Sequence, residues 1–113
     1  MPFINAMTTA KINEEKANSI KSKLGKAIEA FPGKSESWLM VKLDDDCKMY
    51  FKGSSEDCAY IEISIFGSVN PAAADSMTAL VTEIISSELG IKPDRIYIKY
   101  EGCKNWGWNG SNF

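Results

Sequence analysis

The sequence contains no histidine, which removes the Ser–His and Cys–His nucleophile pairs and every histidine-ligated zinc site. Acid–base chemistry in this chain falls to carboxylates, tyrosines, lysines, cysteines or an α-amine. Arginine is nearly absent too. Arg95 is the only one among 13 basic residues, and 15 acidic residues bring the net charge to −2. That is a poor footing for nucleic-acid binding, which needs a clustered basic surface. Cys47, Cys58 and Cys103 are odd in number and share no C-x-x-C spacing, so a reduced, cytoplasmic setting is expected rather than a disulfide framework. No apolar run reaches the roughly 18 residues of a membrane span. No basic segment followed by an apolar one marks a secretory signal, so neither membrane insertion nor signal-directed export is expected.

What is present reads as one folded domain, residues 1–113. Of its residues 44% are hydrophobic and 25% charged, an ordinary globular balance, and the chain is short enough that association would help to bury surface. Residues 2–8 carry apolar side chains on both faces of a strand pattern. Asn13 followed by Glu14 and Glu15 is a helix start; Ile20, Leu24, Ala27, Ile28 and Phe31 continue it at helical spacing, and Pro32-Gly33 stops it. Ser37 to Leu43 is a second strand, and Asp44-Asp45-Asp46 turns into a shorter one at Lys48 to Lys52. Residues 59–66 (AYIEISIF) form a β-branched strand. Asn70-Pro71 opens a second helix with Met77, Leu80, Val81, Ile84, Ile85 and Leu89 along its stripe, capped by Gly90. Residues 95–100 (RIYIKY) are a strand, and the tail WGWNGSNF ends in a short one.

Strand–helix–strand therefore occurs twice, with Pro2 matching Ala59 and Gly33 matching Gly90. Two right-handed βαβ crossovers in one sheet put both helices on the same side. The fold expected is α/β: two βαβ repeats forming a four-stranded sheet with two helices on one face. The other face has no helix to cover it, and symmetric association is the simplest cover.

Pro2 stands immediately after the initiator methionine. Proline there favours removal of Met1 and starts a strand where no N–H is needed. Removal would also leave Pro2 as a secondary amine on a rigid ring.

Several blocks, in order along essentially the whole chain, carry a family resemblance: MPFIN at the start, Gly33-Lys34 after the first helix, GSSEDCA at 53–59, SIFG at 64–67, KPDRIYIKY at 92–100 and GWNGSNF at the end. With them the chain resembles the macrophage migration inhibitory factor family of the tautomerase superfamily. The resemblance implies a homotrimer in which three sheets form a barrel, and a catalytic role for an N-terminal proline, here Pro2. A low-polarity pocket and a nearby cation both disfavour a protonated amine, which suits Pro2 as a proton shuttle. Lys34 matches the family's substrate-binding lysine and would supply that cation. Tyr97 matches a pocket tyrosine. Phe66 stands where relatives have an isoleucine whose backbone N–H holds substrate.

Departures from the family pattern also fall in this region. Lys99 replaces an asparagine and is either a second carboxylate-binding cation or a solvated lysine. Trp38 replaces a rim tyrosine, and Trp106 and Trp108 lie in the segment that lines the family's pocket mouth. Cys58 matches the first position of a Cys-x-x-Cys found in animal members, but Ile61 takes the second, so a thiol-oxidoreductase activity is not expected.

The reading that follows is a phenylpyruvate-type keto–enol tautomerase, with no metal or organic cofactor. Pro2 and Lys34 are its catalytic residues, and Phe66, Tyr97, Lys99, Trp38, Trp106 and Trp108 its substrate-binding residues. Its partners would be a small enolisable keto acid and two further copies of the chain. The alternative is a cytokine that engages a cell-surface receptor, secreted without a signal peptide, whose tautomerase site is incidental. The first loop, TTAKINEEK, lacks the arginine that the animal cytokine directs toward a chemokine-type receptor. A blander third class is a small-molecule-binding module without turnover.

Overall fold

Asparagine sets the start of both long helices. Asn13 Oδ1 accepts from the Lys16 N–H at 2.8 Å, and Asn70 Oδ1 from the Ala73 N–H at 3.0 Å, each satisfying a donor that the first helical turn leaves unpaired. In the computed structural model, which describes residues 1–113, the chain runs β1 (Pro2–Thr8), α1 (Glu14–Ala27), β2 (Met40–Asp44), β3 (Ala59–Phe66), α2 (Pro71–Leu89) and β4 (Ile96–Cys103). A terminal hairpin follows, β5 (Gly107–Trp108) and β6 (Ser111–Asn112). A 3-10 turn, Ile28–Ala30, extends α1, and Gly90 ends α2 in the left-handed conformation at φ 69°.

The sheet order is β2-β1-β3-β4. β1 is parallel to β2, β3 is parallel to β4, and the central pair β1–β3 is antiparallel. These are the two expected βαβ units, laid side by side. Ile4 and Ala6 of β1 and Ile61, Ile63 and Ile65 of β3 form one core with Ile20 and Leu24 of α1 and Met77, Val81 and Ile85 of α2. Each fully buried isoleucine or leucine contributes about 1.5–3 kcal/mol. The helices are also tied at their outer surface, where Glu88 of α2 pairs with Lys23 at 2.7 Å and its carbonyl accepts from Lys16 Nζ at 2.8 Å.

The helix-free face differs from the doubly apolar pattern read from the strands. Its side chains stand in three rows across the sheet: Met40–Phe3–Ser64–Glu101, Lys42–Asn5–Glu62–Lys99 and Asp44–Met7–Tyr60–Tyr97. The middle row is wholly polar, so the apolar character of this face is confined to its two ends.

Four expectations are corrected. Ser37 to Leu43 is not one strand; residues Glu36–Trp38 form a 3-10 turn, and β2 starts at Met40. Lys48 to Lys52 forms no strand and makes only an isolated bridge between Phe51 and Ser54. It makes no ladder with another strand, and its Phe51 carbonyl accepts from Arg95 instead. The buried Arg95 guanidinium donates to Phe51 O, Ser54 O, Glu56 O and Asp57 O at 2.8–3.2 Å, so it belongs to a 3-10 turn ahead of β4 and not to the strand. Finally, Leu80 falls off the buried stripe of α2 and faces outward.

Candidate active site

β1 lies inside the sheet, so its first residues emerge between neighbours on both sides. There, at the end of the sheet, a groove of about 640 Å³ is lined by Met1, Pro2, Phe3, Trp38, Met40, Ser64, Glu101, Cys103, Trp106 and Trp108, among others. The 3-10 turn before β2 delivers Trp38. The terminal hairpin delivers Trp108, turning at Asn109 and Gly110, both with positive φ (53° and 92°), the geometry for which Asn-Gly is the preferred pair.

Lys34 reaches the same end of the sheet from the turn after α1. Gly33 sits at φ 80° and the Lys34 N–H closes that turn on Phe31 O at 3.1 Å. Its Nζ lies 3.4 Å from Phe66 O, and it belongs to none of the ion pairs of the chain. The Phe66 N–H donates to Met1 O at 3.0 Å. Burial, and then the charge and hydrogen bonding of Lys34, hold the Met1 α-amine below its ordinary pKa. Pro2, Lys34 and the Phe66 backbone thus converge around one residue, Met1. With Met1 in place the Pro2 nitrogen is an amide and has no basic lone pair.

An aromatic string borders this point. Trp38 meets Trp108 edge-on at 4.9 Å between centroids; Trp108 stacks with Phe113 at 6.1 Å; Phe113 packs on Phe66 at 5.4 Å. Trp38, Trp108 and Phe113 are each about half exposed, so the string presents apolar ring surface at this end of the sheet.

Tyr97 and Lys99 are not brought to this end by the same chain. Tyr97 stands in the row of Met7 and Tyr60, five strand residues from Pro2, or about 17 Å along the sheet. It is exposed and packs edge-on against Phe51 at 4.7 Å. Lys99 lies in the polar middle row, 3.8 Å from Glu62. Its ammonium pKa is raised by Tyr60 first, and then by Glu101 and Glu62.

Phe113, Ser64, Glu101 and Cys103 were not singled out by sequence reasoning. Phe113 had a usable signal: an Asn-Gly hairpin folds the tail back, and the Phe113 N–H bonds Trp106 O at 3.1 Å. The other three follow only from strand register. No group of three or more His, Cys, Asp or Glu side chains is arranged to hold a metal ion, and no helix is long and apolar enough to cross a membrane.

Comparison with known proteins agrees with this architecture over its full length. The family model described as "Macrophage migration inhibitory factor (MIF)" matches residues 1–113. The macrophage migration inhibitory factor of Meriones unguiculatus is 34% identical over 94 residues, covering 81% of this chain and 82% of that protein. The crystal structure of Leishmania major MIF2 superposes with a TM-score of 0.94 at 30% identity, over 100% of this chain and 97% of the other. A homologue from Prochlorococcus marinus gives a TM-score of 0.82 at 31% identity, over 98% of each chain. With fold, full-length match and relatives in agreement, the chain belongs to the macrophage migration inhibitory factor family.

Proposed function

We propose that this protein is a keto–enol tautomerase for phenylpyruvate-type α-keto carboxylates, with Pro2, freed by removal of Met1, as its general base. The observation that carries this reading is the pose of Met1. Its carbonyl sits on the Phe66 N–H and its amine lies against Lys34. A cation beside a cation is unfavourable, and an anion in the same place would be held. A keto acid meets both requirements, with its keto oxygen on the Phe66 N–H and its carboxylate on Lys34.

Removal of Met1 would leave the Pro2 amine one residue further along the chain, where the same burial and the same lysine are expected to act on it. Both disfavour its protonated form, so the neutral amine is available near pH 7. The amine takes a proton from the carbon next to the carbonyl. The Phe66 N–H and Lys34 stabilise the enolate oxygen, and the proton is returned to that oxygen, so the reaction is an isomerisation with no net gain or loss of atoms. Trp38, Trp106 and Trp108 flank the aryl ring. Tyr97 and Lys99 would enter this site from a neighbouring chain, in a homotrimer that also covers the helix-free face. The exposed Met40, Tyr50 and Tyr97 (67%, 76% and 63%) favour such a partner.

The test is intact mass together with labelling by 3-bromopyruvate. Active protein should lack Met1 and carry the label on Pro2 ahead of any lysine. Full turnover with Met1 retained, or label on lysines alone, removes Pro2 as the base.

A further inference from the structure

Lys99 and Glu62 stand directly opposite each other in the parallel β3–β4 register. The Lys99 Nζ lies 3.8 Å from Glu62 Oε2. That carboxylate is itself fixed, accepting from Tyr60 Oη at 3.2 Å and from Asn5 Nδ2 at 3.4 Å. β4 is an edge strand, so a lysine rooted on it can lie back over β3 toward Glu62 or extend past the edge. The ion pair takes the first course.

We propose that Glu62 is a positioning residue that competes with the substrate carboxylate for Lys99. This rests on the tautomerase reading, in which Lys99 of one chain serves the groove of its neighbour. To reach a carboxylate there, Lys99 has to leave Glu62, so binding exchanges one carboxylate partner for another. Asn5 and Tyr60 keep Glu62 from following the lysine. The exchange favours anions that gain further contacts in the groove over small anions that offer charge alone. Both partners are substantially exposed, at 54% and 37%, which puts the ion pair in the surface range and its effect on apparent affinity at about two- to fivefold.

The experiment is steady-state kinetics on wild type, Glu62→Gln, Lys99→Met and the double variant, with phenylpyruvate and its methyl ester as substrates. Glu62→Gln keeps the side chain's size and its acceptor oxygen, and a melting curve checks that the fold is retained. It should lower KM for phenylpyruvate by about two- to fivefold with a smaller change in kcat. KM for the uncharged ester should not move, and in the Lys99→Met background Glu62→Gln should have no effect. Glu62→Asp, which retracts the carboxylate, should act in the same direction by less. An unchanged or raised KM for phenylpyruvate, an equal shift with the ester, or a drop that persists without Lys99 overturns the proposal. Wild type that turns over neither substrate removes the tautomerase reading and this proposal with it, whereas active wild type with an unresponsive Glu62→Gln removes this proposal alone.

Discussion

Under the tautomerase reading, replacing Lys34 by alanine should separate two roles proposed for its one ammonium group. The side chain extends from the turn after α1 to within 3.4 Å of Phe66 O, and it has no carboxylate of its own. Its loss therefore breaks no native ion pair and should leave stability nearly unchanged. The substrate carboxylate, by contrast, loses a charge-assisted contact of about 1.5–3 kcal/mol, so kcat/KM for phenylpyruvate should fall by about 10- to 150-fold. The second role shows in the pH dependence. Burial and Lys34 together hold the Met1 amine below its ordinary pKa, and the Pro2 amine that removal of Met1 would expose is expected to be lowered by the same two causes. The base works when neutral, so the wild-type rate should rise with pH through that lowered pKa and then level off. Removing the cation takes away one of the two causes, the pKa rises toward its ordinary value, and the whole rise should move to higher pH. Lys34→Arg, which keeps the charge, should leave the inflection close to that of wild type even where altered geometry costs rate. Enol absorbance of phenylpyruvate, followed from pH 5 to 9, reads both effects. An unaltered kcat/KM, or an inflection that stays put or moves down, would refute the assignment of Lys34 as both anchor and cation.

Pro2→Gly retains removal of Met1 and a free amine but loses the ring that fixes the lone pair; tautomerase rate should fall by about 10²–10⁴-fold, with an unchanged melting temperature. Light scattering should return about three times the 12.5 kDa chain mass, and a stable monomer at micromolar concentration would leave Tyr97 and Lys99 without a groove to enter. Arg95→Met should destabilise the fold by about 2–4 kcal/mol in urea titrations, because up to four carbonyls lose a charged donor and part of that loss is recovered by water.

Much of the fold was legible because its signals are local. Asn13 and Asn70 mark helix starts by a side-chain oxygen three residues ahead of a free N–H, and Gly90 marks an end by its left-handed backbone. The two βαβ units follow from order alone. What was not legible depends on a neighbour. The segment at Lys48 to Lys52 alternates like a strand, yet a strand needs a partner ladder and none forms; Arg95, distant in sequence, takes the Phe51 carbonyl. The polar row through Asn5, Glu62 and Lys99 is invisible until register brings the three side by side. At the site, Pro2, Lys34 and Phe66 were reached through family motifs, and the structure brings them around Met1. Glu101 and Cys103 carry no local signal, since only the pleat decides which side of β4 they occupy.

The antiparallel pair at the centre of the sheet has a kinetic consequence. β1 and β3 meet through pairs such as Thr8 with Ala59 and Pro2 with Ile65, and each parallel pair spans an entire helix. No tight turn joins any two strands of the main sheet, and the only local strand pairing is the small β5–β6 hairpin. Every ladder must therefore be closed against the entropy of a long loop before it returns any contact energy. Chains built this way fold in milliseconds to seconds rather than microseconds. The helices, which form in about a microsecond, must wait for the sheet to assemble beneath them. During that interval β2 and β4, the eventual edges, are unpaired strands in search of a partner. A second copy is the nearest template, so these edges are where crowded refolding is expected to go astray.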